Sequence, residues 1–216
     1  HAPVINFGYE FNFSTPNRLP DFVDGYTYAQ ALNEGMKNDG LSPRYSQREL
    51  DAFRDQTYPE FYPNVDWWDE ALRDHAYGNN VNFSISGGGE RVQYYAQLNY
   101  LNNLGIYQPT EENDGYSTQL KYSKMNIRTN LDIKVSNTTK VKLNLLGVFS
   151  ENNRPQSDIS TVFGALYQVP SGAFPIKTSQ NIWGGTTVYS NNPIANIAGS
   201  GYLRTQGRTL YADMSI

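Results

Sequence analysis

Residues 81–100 read VNFSISGGGERVQYYAQLNY, two alternating runs about a glycine turn. In the first run Val81, Phe83 and Ile85 fall on one side, with Asn82, Ser84 and Ser86 on the other. After Gly87-Gly88-Gly89-Glu90 the alternation resumes, with Val92, Tyr94, Ala96, Leu98 and Tyr100 opposed to Gln93, Tyr95, Gln97 and Asn99. A strict period of two is the pattern of a strand, and the glycines mark a hairpin turn. No helix follows them, so they do not form a phosphate cradle. The polar side consists mostly of amides and hydroxyls rather than Lys and Glu. Such a face can meet bulk water or line a wet lumen.

The same alternation recurs along the chain. Val4 to Phe13 sets Ile5, Phe7, Tyr9, Phe11 and Phe13 against Asn6, Gly8, Glu10 and Asn12. Lys124 to Val135 sets Met125, Ile127, Leu131, Ile133 and Val135 against Asn126, Arg128, Asn130, Asp132 and Lys134. Val141 to Phe149 is a fifth strand, and a sixth begins near Thr205. Between the first and second strands, Ser14 to Gly78 carries helix signals. Asp24 is an N-cap for a helix to about Lys37, Ser46-Gln-Arg-Glu49 is a capping box, and Asp66 opens a short helix from Trp67 to about Asp74. Leu101 to Tyr122 is a polar connection. Ser136 to Thr139 is a short turn. Glu151 to Arg204 is long again, with a helix capped by Ser157 or Asp158 and closed by Pro170. Long and short connections therefore alternate, and in an up-and-down meander all the long ones lie at one end. Transmembrane β-barrels sort their loops in this way, whereas a sandwich has no reason to. The expected fold is all-β: an antiparallel up-and-down meander, part of a large transmembrane β-barrel with long, partly helical extracellular loops. The rival reading is a soluble secreted β-sandwich that binds carbohydrate.

Among its 216 residues the chain has 17 Tyr, 10 Phe and no Cys, and 18% of the residues are charged for a net charge of -4. That balance, with no Lys/Arg cluster, argues against a nucleic-acid partner. The lack of Cys excludes disulfides and thiolate metal sites. No stretch approaches the ~20 apolar residues of a membrane helix, and no signal peptide is visible. The alternation of Leu210, Ala212, Met214 and Ile216 runs to the last residue, so the chain is expected to be a piece of a longer protein.

Tyr62-Pro-Asn-Val-Asp-Trp67, Asn82-Phe-Ser-Ile-Ser-Gly-Gly and Tyr94 to Ile106 (YYAQLNYLNNLGI) occur in that order. This set resembles the SusC/RagA family of TonB-dependent outer-membrane transporters, with its YPNxDW loop, "LSVSGG" strand and turn, and "YFxSLGYLxQEG" strand. LPDFVDGYTYAQALNE (residues 19–34) and SKMNIRTNLDIK (residues 123–134) resemble the family's segments around the same strands. The resemblance covers nearly the whole chain. It implies that residues 1–216 are the first barrel strands, about six of the ~22 that close such a barrel, without the plug domain, the TonB box or the remaining strands. It also implies energy-dependent import of glycans or peptides across the bacterial outer membrane. The implied partners are a SusD-like surface lipoprotein acting as a lid, the TonB complex, outer-membrane lipid, and an oligosaccharide or peptide substrate.

Ligand or lid contacts are sought at Trp67, Trp68, Trp183 and Tyr189, because Trp and Tyr combine an apolar ring with a polar tip. For Trp67 and Trp68 the competing role is packing of a loop helix. Asn82, Gln93, Gln97, Asn99, Asn126, Arg128, Asn130, Asp132 and Lys142 lie on polar strand faces and are expected to look into the lumen or onto the plug. Arg128 and Asp132 share a face and are candidates for pairing with the plug. The acidic run Glu111-Glu112-Asn113-Asp114-Gly115 lacks EF-hand spacing and reads as a solvated loop. His75 has no catalytic or metal-binding companions in the sequence, and Asp69 and Glu70 diverge on their helix. No enzyme activity, cofactor or metal is expected.

Overall fold

The computed structural model describes residues 2–108 and 116–216. In chain order its elements are β1 (Val4–Ser14), α1 (Gly25–Asn38), α2 (Gln47–Asp55), α3 (Trp67–Ala71), β2 (Ala76–Gly88), β3 (Val92–Leu104), β4 (Lys121–Lys134), β5 (Lys140–Pro155), α4 (Ile159–Gln168), a π-helical turn (Ala195–Gly199) and β6 (Tyr202–Ser215). The strands form one six-stranded sheet in sequence order, each pair antiparallel. The turns at residues 89–91 and 135–139 therefore lie at one end, and the connections 15–75, 105–120 and 156–201 at the other.

Register follows from the alternation. Val81 pairs with Tyr100, Phe83 with Leu98 and Asn82 with Asn99, so the apolar and polar residues of β2 and β3 fall on common faces. Gly88 closes the hairpin at φ 138, in the region glycine favours, where a Cβ would collide with the Val92 carbonyl oxygen.

Several boundaries differ from the sequence reading. β3 runs on to Leu104 and β4 starts at Lys121, both within what read as a connection from Leu101 to Tyr122, because those ends pair with each other. β2 starts at Ala76 rather than Val81, because Asn79 and Asn80 spend their side chains across strands instead of in a turn. The Tyr9 hydroxyl donates to Asn79 Oδ1 at 2.7 Å, and Asn80 Nδ2 donates to Glu10 Oε2 at 3.0 Å. Gly78 leaves room between the side-chain oxygens of Asn12 and Asn103. β5 continues beyond Phe149 to Pro155, paired with β6 from Tyr202. α3 ends at Ala71, short of Asp74, because Leu72 forms a bridge with Tyr107 and Arg73 N–H donates to the Ile106 carbonyl at 2.9 Å.

Packing is inverted relative to an ordinary sheet protein. Among the described residues the main hydrophobic core draws on all three long connections. Trp67, Trp68, Ala71 and Leu72 come from the first, Tyr107 from the second, and Val162, Leu166, Val169, Phe174 and Ile197 from the third. A smaller cluster of Ala29, Leu50 and Phe53 joins α1 to α2. Of the strand side chains only Asn153 and Pro155, at the loop end of β5, are buried. Neither face of the sheet is covered by a second layer: Phe7, Ile127 and Leu210, in one row across the apolar face, are 71%, 42% and 74% exposed.

Candidate functional site

The sequence-predicted site residues fall on the two sheet faces and on the loop cap above them. On the polar face, register brings Asn82, Asn99 and Asn126 into one row, Gln97 beside Arg128, and Gln93 beside Asp132 and Lys142. Asn130 sits between Tyr95 and Asn144. The amides form a directed relay. Asn126 Nδ2 donates to Asn99 Oδ1 at 3.1 Å, Asn99 Nδ2 donates to Asn80 and Asn82 Oδ1 at 2.7 and 2.8 Å, and Asn80 passes the chain to the Glu10 carboxylate. Asn99 and Asn80 each donate one way and accept from the other, and the carboxylate at the accepting end polarises the series. Sequence reading missed Asn80 and Glu10. The signal was present in Glu10, the one charge on the polar side of an otherwise aromatic strand. Arg128 does not pair with Asp132; its Nε reaches Asn130 Oδ1 at 3.4 Å.

On the apolar face the exposed hydrophobics form a slanted band. In β1 the run reaches Phe13, whose row continues through Lys121, Asn153 and Arg204 in β4 to β6. In β6 the run is Leu210 to Met214, whose rows in β4 hold Ile127 to Leu131. The loop-end edge of the band drops from the Arg204 row to Leu210, three same-face positions or roughly 20 Å, over a sheet width of roughly 24 Å. That is a slant of roughly 40°, near the tilt of strands in closed barrels. Along β3 the run from Val92 to Tyr100 spans roughly 27 Å, or roughly 20 Å in height once tilted. Tyr94 stands near its turn end, and Tyr9 and Tyr100 share the row at its loop end.

The cap holds the aromatic candidates. Trp67 and Trp68 are 3% and 6% exposed. Trp67 Nε1 donates to the Pro170 carbonyl at 3.2 Å, and its ring lies 5.3 Å from that of Phe174. Trp68 is enclosed by Phe22, Phe163 and Tyr167. The rings of both tryptophans are taken up by protein contacts. Trp183 is half-buried; Gly199 abuts its ring and Lys177 Nζ lies 4.4 Å above it. Tyr189 packs against the main core, and the Tyr28 hydroxyl is pushed up to about 12, first by burial and then by the neighbouring Tyr189 hydroxyl. Burial likewise raises Tyr107. Bonds to backbone carbonyls lock the connections together. Val65 N–H donates to the Ser171 carbonyl at 3.0 Å, Ser171 Oγ donates to the Val23 carbonyl at 3.1 Å, and Arg73 donates to the Gly105 carbonyl. The acidic run 111–115 lies outside the described residues. His75 packs against Phe13 and Tyr77. Among the described residues no group of three or more His, Cys, Asp or Glu could hold a metal ion. Among the described residues no helix is long and apolar enough to cross a membrane, which says nothing of strands.

No protein-family model matches the chain. It is 31% identical over 144 residues to TonB-dependent receptor P26 of Formosa agariphila, a match that covers 65% of this chain and 13% of that protein. The chain therefore corresponds to a small part of that relative's length. This likeness supports the TonB-dependent receptor family, a broader group than the SusC/RagA branch to which the motifs point.

Proposed function

We propose that the six strands are a section of the wall of a large transmembrane β-barrel in the bacterial outer membrane, belonging to a SusC-like TonB-dependent transporter. Its cargo is glycans or peptides, a SusD-like lipoprotein serves as its lid, and the TonB complex supplies energy. It acts by passage rather than by chemistry, so no enzymatic residue is assigned. The observation that carries this reading is the exposed, slanted apolar face, set beside a hydrophobic core confined to the connections. In water such a face would be an aggregation site. Against lipid it is the outer surface of a barrel, with the amide-rich face turned to a hydrated lumen. The long connections then lie outside the cell and the GGGE turn in the periplasm. The likeness to a TonB-dependent receptor agrees with this placement.

The test uses the full-length parent protein. The expected result is extraction from outer membranes only with detergent, and a barrel band whose gel mobility changes on heating. Release into buffer without detergent would sink the proposal.

A further inference from the structure

We infer that the loop end of the apolar sheet face carries a binding site for the phosphate groups of an outer-leaflet lipid; this rests on the transporter reading above. Two rows cross that end of the face. The row that begins at Phe13 and Tyr77 reaches Lys121 in β4 and Arg204 in β6. The row that begins at Tyr9 passes Tyr100 and Phe149 and ends at Arg208. Over β1–β3 both rows are aromatic or aliphatic. Over β4–β6 they bring in three cations, all exposed. Glu151, in the row between, is the only carboxylate on this part of the face. It lies 3.8 Å from Arg204 Nε and accepts from Gln206 Nε2 at 2.7 Å. Among the described residues Lys121 and Arg208 make no ion pair. The whole chain carries a net charge of -4, so three cations against one carboxylate run against its composition.

An unpaired charge on a surface turned to lipid is costly unless it reaches the headgroups and finds an anion there. Arg208 stands opposite Phe149, at the loop-end border of the apolar band. A side chain so placed lays its stem on apolar surface and carries its guanidinium outward. Arg204 and Arg208 are four residues apart on β6, roughly 13 Å, and Lys121 lies two strands from Arg204, roughly 10 Å. A triangle of this size fits a large headgroup bearing phosphates better than a single small ion. Guanidinium forks bind phosphate oxygens in pairs. A neutral sugar gains nothing from three like charges. A carboxylate on a strand beyond β6 reaches Arg208 but not Lys121, two strands further in. Because the cations are confined to β4–β6, the patch is a site on the perimeter and not a uniform belt.

The experiment strips the full-length parent of lipid in a neutral detergent. It is then titrated with lipid A carrying its phosphates, or with the same lipid after phosphatase treatment. Saturable binding by native mass spectrometry, with a rise of several degrees in melting temperature, is expected for the phosphorylated form alone. The triple variant Lys121→Gln, Arg204→Gln, Arg208→Gln should bind it several-fold more weakly. Lys134→Gln with Lys140→Gln, at the turn end, should bind as the parent does. Lys121→Gln alone should still weaken phosphate-dependent binding, which covers a triple variant that does not assemble. Equal binding of the two lipids, or no loss on removing the three charges, overturns the inference. So does equal competition by inorganic phosphate or phosphatidylglycerol, which makes the patch a general anion surface. A fall in the melting temperature of lipid-free Arg208→Gln, with lipid A binding unchanged, assigns Arg208 to a carboxylate of an adjoining strand and also overturns it. Heat-modifiable gel mobility, scored on the same samples, reports the barrel itself. An intact barrel without a phosphate preference strikes only this inference.

Discussion

Leu131 and Asn130 are adjacent in β4 and point to opposite faces, so they test the facing assignment one residue at a time. Leu131→Arg should cost ~2–4 kcal/mol if it sits near mid-membrane. Asn130→Arg, toward the polar side, should cost well under half of that. Urea unfolding of the full-length barrel in lipid vesicles measures both, and equal costs would refute the assignment. Asn99 is the hub of the amide relay, bonded to Asn80, Asn82 and Asn126. Asn99→Leu should cost about 1–3 kcal/mol, because it strands three part-buried amides; the same unfolding experiment reads it. Residue facing was legible from alternation alone, since each side chain's face is decided by its parity. The relay was not, because a hydrogen bond between Asn80 and Glu10 depends on register between segments that are far apart in sequence.

At the scale of elements, α2 rests on a capping box. Ser46 Oγ accepts from Glu49 N–H, and the Glu49 carboxylate accepts from Ser46 N–H at 2.7 Å. Those bonds to Ser46 hold the Glu49 carboxyl below the usual range. Its stabilisation is therefore present above the ordinary glutamate value of about 4.3 and is lost as pH falls through the lowered folded value. Amide protection factors in α2, corrected for intrinsic exchange, should fall below about pH 4, and Glu49→Gln should remove that fall. The boxes and caps were readable because they are local. The cap's core was not. The partners of Trp67 and Trp68 lie at Phe163, Tyr167, Pro170 and Phe174, about a hundred positions away, and nothing local in the sequence announces them. Trp67→Ala should cost about 3–5 kcal/mol of cap stability. Limited proteolysis should then cut within residues 15–75 while the β2–β5 ladder stays protected; an unchanged cleavage pattern would show that the cap does not depend on this ring.

At the scale of the whole molecule, among the described residues the outer edges of β1 and β6 are unpaired and both sheet faces are uncovered. An open edge is not sustainable in lipid, so the wall reading requires further strands on each side. Loop parity was legible from spacing and gave the correct sorting of ends. Strand lengths were underestimated wherever Asn and Gly continued a strand that their local preference would have broken. The cap described above also bears on the order of folding. Its tying bonds, Val65 N–H to the Ser171 carbonyl and Ser171 Oγ to the Val23 carbonyl, join the first connection to the third. They join residues far apart in sequence, and such long-range closure is slow. Until the first and third connections meet, Trp67 and Trp68 lack Phe163, Tyr167 and Phe174 and leave an exposed aromatic surface.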